Sequence, residues 1–174
     1  MTETPLEPYE IYAVKYAWRD ATRNEHLIFK DPHDDTSMPM DYFVWAIVGK
    51  RKTYVLDTGF DQAEGEKRGR IFLRQPSEGL RMIGVEASDI DELIISHLHY
   101  DHIGTWDDFP KATLYLQEKE MQFATGRQMR HATLRHSFAV EHIEGVIRAL
   151  YDDRLVYCDP VEELAPGLTL HYVG

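Results

Sequence analysis

The sequence predicts an α/β fold in which strands and helices form a layered sandwich. Two observations support this prediction. Short apolar runs rich in β-branched residues alternate with segments that have a helical period. One run, Leu93-Ile94-Ile95, is apolar at every position, which is typical of a strand buried on both faces. A sheet with covered strands is therefore expected at the centre of the fold.

The individual elements follow from turns and periodicity. Gly49 begins a four-residue turn between two β-rich runs and predicts a β-hairpin. Gly126 predicts the end of a helix, and Pro166-Gly167 predicts the turn before the last strand. The polar stretch from Trp18 to Asp41 predicts a long surface loop. The predicted strands are 11–16, 43–48, 53–56, 93–95, 113–117, 155–157 and 168–173. The predicted helices are 118–125 and 136–151, and 61–84 is polar and compatible with a helix.

Composition limits the classes of function. A chain of 174 residues predicts one domain with a real core. The formal net charge of −11, without a long basic run, argues against nucleic acid as substrate. No apolar run reaches the length of a membrane span, and residues 1–8 show no signal peptide. The single cysteine, Cys158, excludes an intrachain disulfide and fits the cytoplasm.

A dense group of metal-ligand residues carries the chemistry. His97, His99, Asp101 and His102 fall within six residues, directly after the strand 93–95. In an extended backbone His97, His99 and Asp101 would lie on one side, and a turn would bring His102 to the same cavity. Zinc prefers imidazole nitrogen and carboxylate oxygen. The spacing offers His97 and His99 to one ion and Asp101 and His102 to a second. The alternative, a run of surface histidines, does not explain so many donors after an apolar strand.

The motif resembles the signature of the metallo-β-lactamase superfamily. The matching pattern is H-x-H-x-D-H, here His97 to His102, after a short apolar strand. The segment Tyr54 to Gly59 resembles a second family motif, a strand that ends in Asp-x-Gly. Ser96 to Gly104 and Phe109 to Glu120 look most like the N-acyl homoserine lactonase group. The similarity extends from about Tyr42 to Gly174.

The resemblance implies a fold and roles for residues. The fold would be an αβ/βα sandwich of two halves with metals at the edge between the sheets, and the chain would supply the N-terminal half and the start of the second. Asp57 would orient metal ligands without binding metal, although a turn aspartate explains it equally well. His99 stands where flavodiiron proteins have glutamate, which favours zinc hydrolysis. His102 stands where the true β-lactamases of the commonest class lack a histidine, which argues against antibiotic hydrolysis.

The family pattern continues beyond the motifs found here. The resemblance implies a further histidine, a bridging aspartate and a final histidine, the first of them after a strand such as 168–173. We interpret His171, which lies inside that predicted strand, as structural. We therefore expect 1–174 to be a single domain truncated at its C-terminal end. By itself it would bind metal weakly and have little activity, unless a complementary C-terminal chain or a homo-oligomer completes the site.

The functional expectation is a dinuclear zinc hydrolase, with two Zn²⁺ per complete site. It would open a lactone, such as an acyl homoserine lactone in quorum quenching, or a related small-molecule ester by metal-bound hydroxide. Asp101 would be both a metal ligand and the catalytic proton acceptor. Two alternatives remain open: a hydroxyacylglutathione-type thioester hydrolase, and an inactive metal-binding fragment. Four apolar residues have two interpretations. They form an apolar wall beside the metals, or they are ordinary core and loop residues: Trp18, Met38, Met40 and Tyr42.

Overall fold

A computed structural model describes Leu6 and residues 8–173. Residues 1–5 and 7, most of the segment in which the sequence shows no signal peptide, lie outside the described residues. The strands in chain order are β1 (Glu10–Arg19), β2 (Met40–Val48), β3 (Thr53–Leu56), β4 (Ile71–Phe72), β5 (Glu92–Ile95), β6 (Thr113–Gln117), β7 (Leu155–Cys158), β8 (Val161–Ala165) and β9 (Leu168–His171). The helices are α1 (Arg23–His26), α2 (Gln62–Lys67), α3 (Pro76–Arg81), α4 (Tyr100–Ile103), α5 (Glu118–Ala124), α6 (Ala132–Arg135) and α7 (Val140–Tyr151).

The main sheet has seven strands in the order β4-β1-β2-β3-β5-β6-β7. The pairs from β4 to β3 are antiparallel, and β2 and β3 form the predicted hairpin, with Val48 opposite Thr53. The pairs β3–β5, β5–β6 and β6–β7 are parallel. The fully apolar strand β5 therefore lies inside the sheet, as predicted. A separate antiparallel pair consists of β8 and β9.

The two faces of the sheet have different covers. On β5, Leu93 and Ile95 join the large core, which also contains residues of α3, α4, α5 and α7. Ile94 points to the other face, where Ile47 and Tyr54 also lie and where β8 and β9 contribute apolar side chains. Successive side chains of a strand point to opposite faces, so an all-apolar strand must be covered twice. The observed layers confirm the α/β fold class.

Several predicted boundaries are wrong. The expected loop 18–41 is shorter, because β1 continues to Arg19 and β2 begins at Met40, and it contains α1. The region 61–84 holds two short helices and β4. The helix α5 ends at Ala124, where Thr125 bonds to the carbonyl of Met121 through both its amide and its hydroxyl. The helix thus ends one residue earlier than predicted, and Gly126, which we expected as its cap, follows the observed cap Thr125 with a φ of −85°.

The predicted helix 136–151 begins four residues late, at Val140. The carbonyl of Ser137 accepts a hydrogen bond from the amide of Tyr100, and Arg68 donates to the carbonyls of His136 and Phe138. These carbonyls therefore serve tertiary contacts instead of a first helical turn. Within the described part of the chain, no helix is both long and apolar enough to cross a membrane.

Candidate metal centre

The site lies where β5 ends and the chain enters α4. Ser96 to His99 are irregular, and His99 is the residue that precedes the first turn of α4. Asp101 and His102 therefore lie on a helix, and the expectation that His97, His99 and Asp101 share one extended face is wrong. The hydrogen bond from the amide of His102 to the carbonyl of His99 forms this turn. The turn nevertheless brings His102 back over His97.

The three imidazoles form a compact group. The ring centroids of His97 and His102 are 3.8 Å apart, and those of His97 and His99 are 4.6 Å apart. The carboxylate of Asp101 approaches the same group, with Oδ2 3.6 Å from Nε2 of His102. All four side chains are half-buried. The structure thus brings together all four residues that the motif proposed as metal ligands.

Asp57 connects β3 to this group. Its carboxylate is buried, and its Oδ2 lies 2.7 Å from Nδ1 of His102. Its Oδ1 accepts hydrogen bonds from the amide and the hydroxyl of Ser96, at 2.8 and 2.9 Å. The backbone of Asp57 has a φ of 61°, a left-handed conformation that aspartate tolerates better than most residues. With Nδ1 engaged, the Nε2 atom of His102 is left to face Asp101.

The surroundings give the three histidines different affinities for protons. Burial lowers the pKa of His97 to about 4, and the neighbouring imidazoles of His102 and His99 add to this effect. Burial also lowers the pKa of His99. Burial acts in the same direction on His102, but the hydrogen bond and charge of Asp57 outweigh it and raise the pKa. Neutral imidazole is the form that binds a metal, so His97 and His99 have the required form at neutral pH.

The donor chemistry fits zinc better than the donor geometry does. Three imidazoles and a carboxylate are zinc ligand types. Yet among Leu6 and residues 8–173, no group of three or more His, Cys, Asp or Glu side chains is arranged so that it could hold a metal ion.

Several neighbours that the sequence analysis did not single out support the site. Arg68 lies over the ring of Tyr100, 3.8 Å from its centroid, and forms an ion pair with Glu64. Phe138 packs edge-on against His99, at 4.9 Å between centroids. Glu120 accepts a hydrogen bond from the amide of Leu98. Glu64, Arg68, Glu120 and Phe138 are 18 to 36 positions from the motif, and their residue types are common, so no local signal distinguishes them.

The other candidate residues take different positions. Met40 and Tyr42 line a cavity together with His99 and Asp101, whereas Trp18 and Met38 do not line it. His171 is exposed at the end of β9 and lines a separate crevice between the sheet and β9. Burial raises the pKa of Cys158 to about 11, and the nearby carboxylates Glu162 and Asp159 act in the same direction. A thiol with so little thiolate at neutral pH is a poor nucleophile.

Comparison with known proteins places these features in a family. The chain is 40% identical over 100 residues to the N-acyl homoserine lactonase AiiB of Agrobacterium fabrum, an alignment that covers 56% of the chain and 35% of that lactonase. The structure is similar to that of a quorum-quenching N-acyl homoserine lactone lactonase, with a TM-score of 0.68, 18% identity and coverage of 97% and 64%. It is also similar to AidC, a dizinc quorum-quenching lactonase, with a TM-score of 0.64, 17% identity and coverage of 95% and 67%.

These likenesses confirm the predicted metallo-β-lactamase-type fold. The chain spans about a third of the length of the curated lactonase and about two thirds of the solved structures. The sequence pattern of the metallo-beta-lactamase superfamily matches residues 38–146, which include Asp57 and the whole histidine motif. Because this match extends over more than half of the chain, the protein belongs to the metallo-β-lactamase superfamily.

Proposed function

We propose that this protein acts in a zinc-dependent hydrolase that opens a lactone or a related small ester. The observation that carries the proposal is the convergence of His97, His99, Asp101 and His102, with Asp57 bonded to His102. Such an outer carboxylate fixes the orientation of a ligand histidine and makes it more basic. The identity to a curated homoserine lactonase supports the lactone as the substrate class.

Each residue of the site has a proposed role. His97, His99, Asp101 and His102 would hold zinc, two ions in a complete site, and Asp57 would orient His102. When bound, zinc supplies an activated water nucleophile and polarises the substrate carbonyl. Asp101 would also accept the proton that the nucleophile loses. Two observations support this role: Oδ2 of Asp101 lies 3.6 Å from Nε2 of His102, and Asp101 lines a cavity.

We also propose that further donors come from outside these residues, either from a longer chain, from a complementary C-terminal chain or from a homo-oligomer. The absence of a three-donor arrangement among the described residues supports this proposal, as does the partial coverage of the relatives. Zinc binding by 1–174 alone would then be weak and its activity low. A cytoplasmic location is consistent with the single cysteine.

The test combines metal content with turnover. The purified chain, its mass verified, is loaded with zinc and assayed with N-hexanoyl-L-homoserine lactone and with S-lactoylglutathione. For 1–174 alone we expect slow, zinc-dependent hydrolysis of the lactone. This activity and the bound metal should be lost in His99→Ala and unchanged in His33→Ala, which removes an exposed loop histidine. Faster turnover of the thioester would instead support a thioester hydrolase. Bound zinc without hydrolysis of either compound would contradict the enzyme proposal and favour a metal-binding module.

A further inference from the structure

A small cavity beside the candidate metal centre is rich in arginine. It has a volume of about 200 Å³, and His99 and Asp101 form part of its wall. Arg19, Arg68 and Arg70 also line it, and Asp101 is the single carboxylate residue among its lining. Pockets for whole ligands have volumes of about 300–1,000 Å³, so this cavity suits one group of a substrate. Its excess of positive charge contrasts with the formal net charge of −11 of the chain.

The three arginines differ in how many hydrogen bonds and ion pairs they form within the fold. Arg68 is occupied, because it forms an ion pair with Glu64 and donates to the carbonyls of His136 and Phe138. Arg19 forms an ion pair with Glu25 through Nη1, at 2.9 Å. Its buried Nε has no hydrogen-bond partner in the described structure. The fold thus uses Arg68 fully and Arg19 in part.

Arg70 is the arginine that the fold leaves most available. Its Nε donates to the hydroxyl of Tyr100 at 3.1 Å, and this contact fixes the direction of the guanidinium. The Tyr100 hydroxyl is also bonded to that of Tyr42, so the tyrosines form a rigid support. The terminal nitrogens Nη1 and Nη2 have no hydrogen bond, and Arg70 has no ion pair, with any described residue. A half-buried guanidinium that is held in place and forms no ion pair with a described residue is suited to an anion from outside, although Asp101 lies in the same cavity wall.

We propose that this cavity binds a carboxylate of the substrate, received by the terminal nitrogens of Arg70 with Arg19 nearby. The inference rests on the proposed hydrolase function and narrows its substrate class to lactones or esters that carry a carboxylate on the acyl portion. The planar fork of arginine matches a carboxylate in two parallel hydrogen bonds. Because His99 and Asp101 share the cavity wall, an anchored carboxylate lies next to the residues that would hold zinc.

The test compares two lactones that differ in one group. N-succinyl-L-homoserine lactone ends in a carboxylate, whereas N-butanoyl-L-homoserine lactone has the same acyl length and ends in a methyl group. Binding is measured by calorimetry on the chain with zinc removed, because carboxylates also bind zinc directly. We expect the succinyl compound to bind about 10-fold more tightly or better, as charge-assisted hydrogen bonds require.

Variants assign the effect to Arg70. Arg70→Met keeps an unbranched side chain but removes the guanidinium, and it should abolish the preference for the succinyl compound, whereas Arg70→Lys should keep part of it. Arg81→Met is the matched control, since Arg81 is exposed and lies outside the cavity lining. Tyr100→Phe retains Arg70 and reports whether the loss of their hydrogen bond has an effect of its own. Circular dichroism of each variant verifies the fold.

The outcomes separate this proposal from the proposed function. Equal affinity for the two lactones, or a preference that survives in Arg70→Met, would overturn the carboxylate subsite even if the zinc-loaded chain hydrolyses both. A preference that depends on Arg70, without hydrolysis of either lactone after zinc loading, would support the subsite and contradict the hydrolase. Hydrolysis of the succinyl compound with a higher kcat/KM that Arg70→Met removes would support both.

Discussion

At the scale of single residues, Asp57 does the most to organise the site. Its buried carboxylate accepts hydrogen bonds from Ser96 and is bonded to His102 through Oδ2, and its left-handed backbone turns the chain out of β3. A buried carboxylate without these partners would be costly, and so would a His102 without Asp57. The pair therefore contributes both to stability and to the direction of the His102 ring.

We predict that Asp57→Asn weakens both properties. The amide has nearly the same size but no charge, so the hydrogen bonds of Ser96 and His102 lose strength. Unfolding in urea should show a loss of about 1–3 kcal/mol. Zinc affinity, measured by competition with a chelating dye, should fall about 10- to 100-fold. The control Asp107→Asn changes an exposed carboxylate and should leave both quantities unchanged; an equal effect in the control would contradict the role of Asp57.

At the scale of elements, the short helix α4 depends on close backbone contacts with the segment after β3. The amide of Gly104 donates to the carbonyl of Gly59 at 2.6 Å, and that of Thr58 donates to the carbonyl of His102 at 2.7 Å. The hydroxyl of Tyr16 donates to the carbonyl of Asp101. A helix of four residues has too few internal hydrogen bonds to persist alone, so these contacts determine where Asp101 and His102 lie.

Gly104→Ala tests this packing. The backbone of Gly104 has a φ of −72°, a conformation in which alanine alone would be favourable. However, an added Cβ would lie 2.8 Å from the Gly59 carbonyl oxygen and 2.9 Å from Cα of Phe60. We expect a loss of about 1–3 kcal/mol in stability, with weaker zinc binding.

Gly84→Ala provides the comparison for this prediction. Gly84 has a φ of 80° and open space where a Cβ would lie, so its cost is backbone strain of about 1 kcal/mol without an effect on zinc. Thermal and urea unfolding of the two variants side by side gives the answer. A Gly104→Ala protein as stable as the parent, with the same zinc affinity, would show that α4 does not depend on this contact.

At the scale of the whole molecule, the main sheet combines antiparallel and parallel strand pairs. The antiparallel strands on one side supply Asp57 at the end of β3, and the parallel strand β5 beside it supplies the histidine motif. Because the carboxyl ends of β3 and β5 lie side by side, groups 40 residues apart in the chain meet at one edge. Parallel strands require this alignment, and it explains why the site forms there.

If zinc binds the folded chain at this site, it should stabilise that chain by mass action, although weakly. At ten times its Kd, a ligand specific for the folded state adds about 1.4 kcal/mol to stability. We predict that zinc raises Tm, that EDTA reverses the shift, and that Mg²⁺, which prefers oxygen donors, has no effect. The variant with His97→Ala and His99→Ala should show no shift. A shift of equal size in this variant would place zinc binding elsewhere in the chain.

Much of the fold, and the four residues of the candidate site, could be predicted from the sequence. Alternating apolar residues in the strands and the apolar run 93–95 in β5 reflect which faces are buried. This burial pattern is visible in a few consecutive residues of the sequence. The motif from His97 to His102 also depends on local spacing, and the structure brings its four side chains together. The late start of α7 could not be predicted, because the carbonyls before it bond to the distant residues Arg68 and Tyr100. The break between the two helices in 61–84 could not be predicted either, because the amides of Leu73 and Arg74 bond to the distant carbonyl of Tyr16.

The sequence by itself determined that β5 is covered on both faces, and it identified the four residues that we propose as zinc ligands. Only the tertiary structure decided which nitrogen and oxygen atoms of these side chains form hydrogen bonds within the fold. The bond between Asp57 and His102 spans 45 residues, and the cavity beside Arg70 takes its walls from β1, β2, α4 and the turn before α7. Such contacts form when the chain buries its apolar faces against each other. The free energy of this burial depends on the packing of the whole fold, so it cannot be read from any short segment.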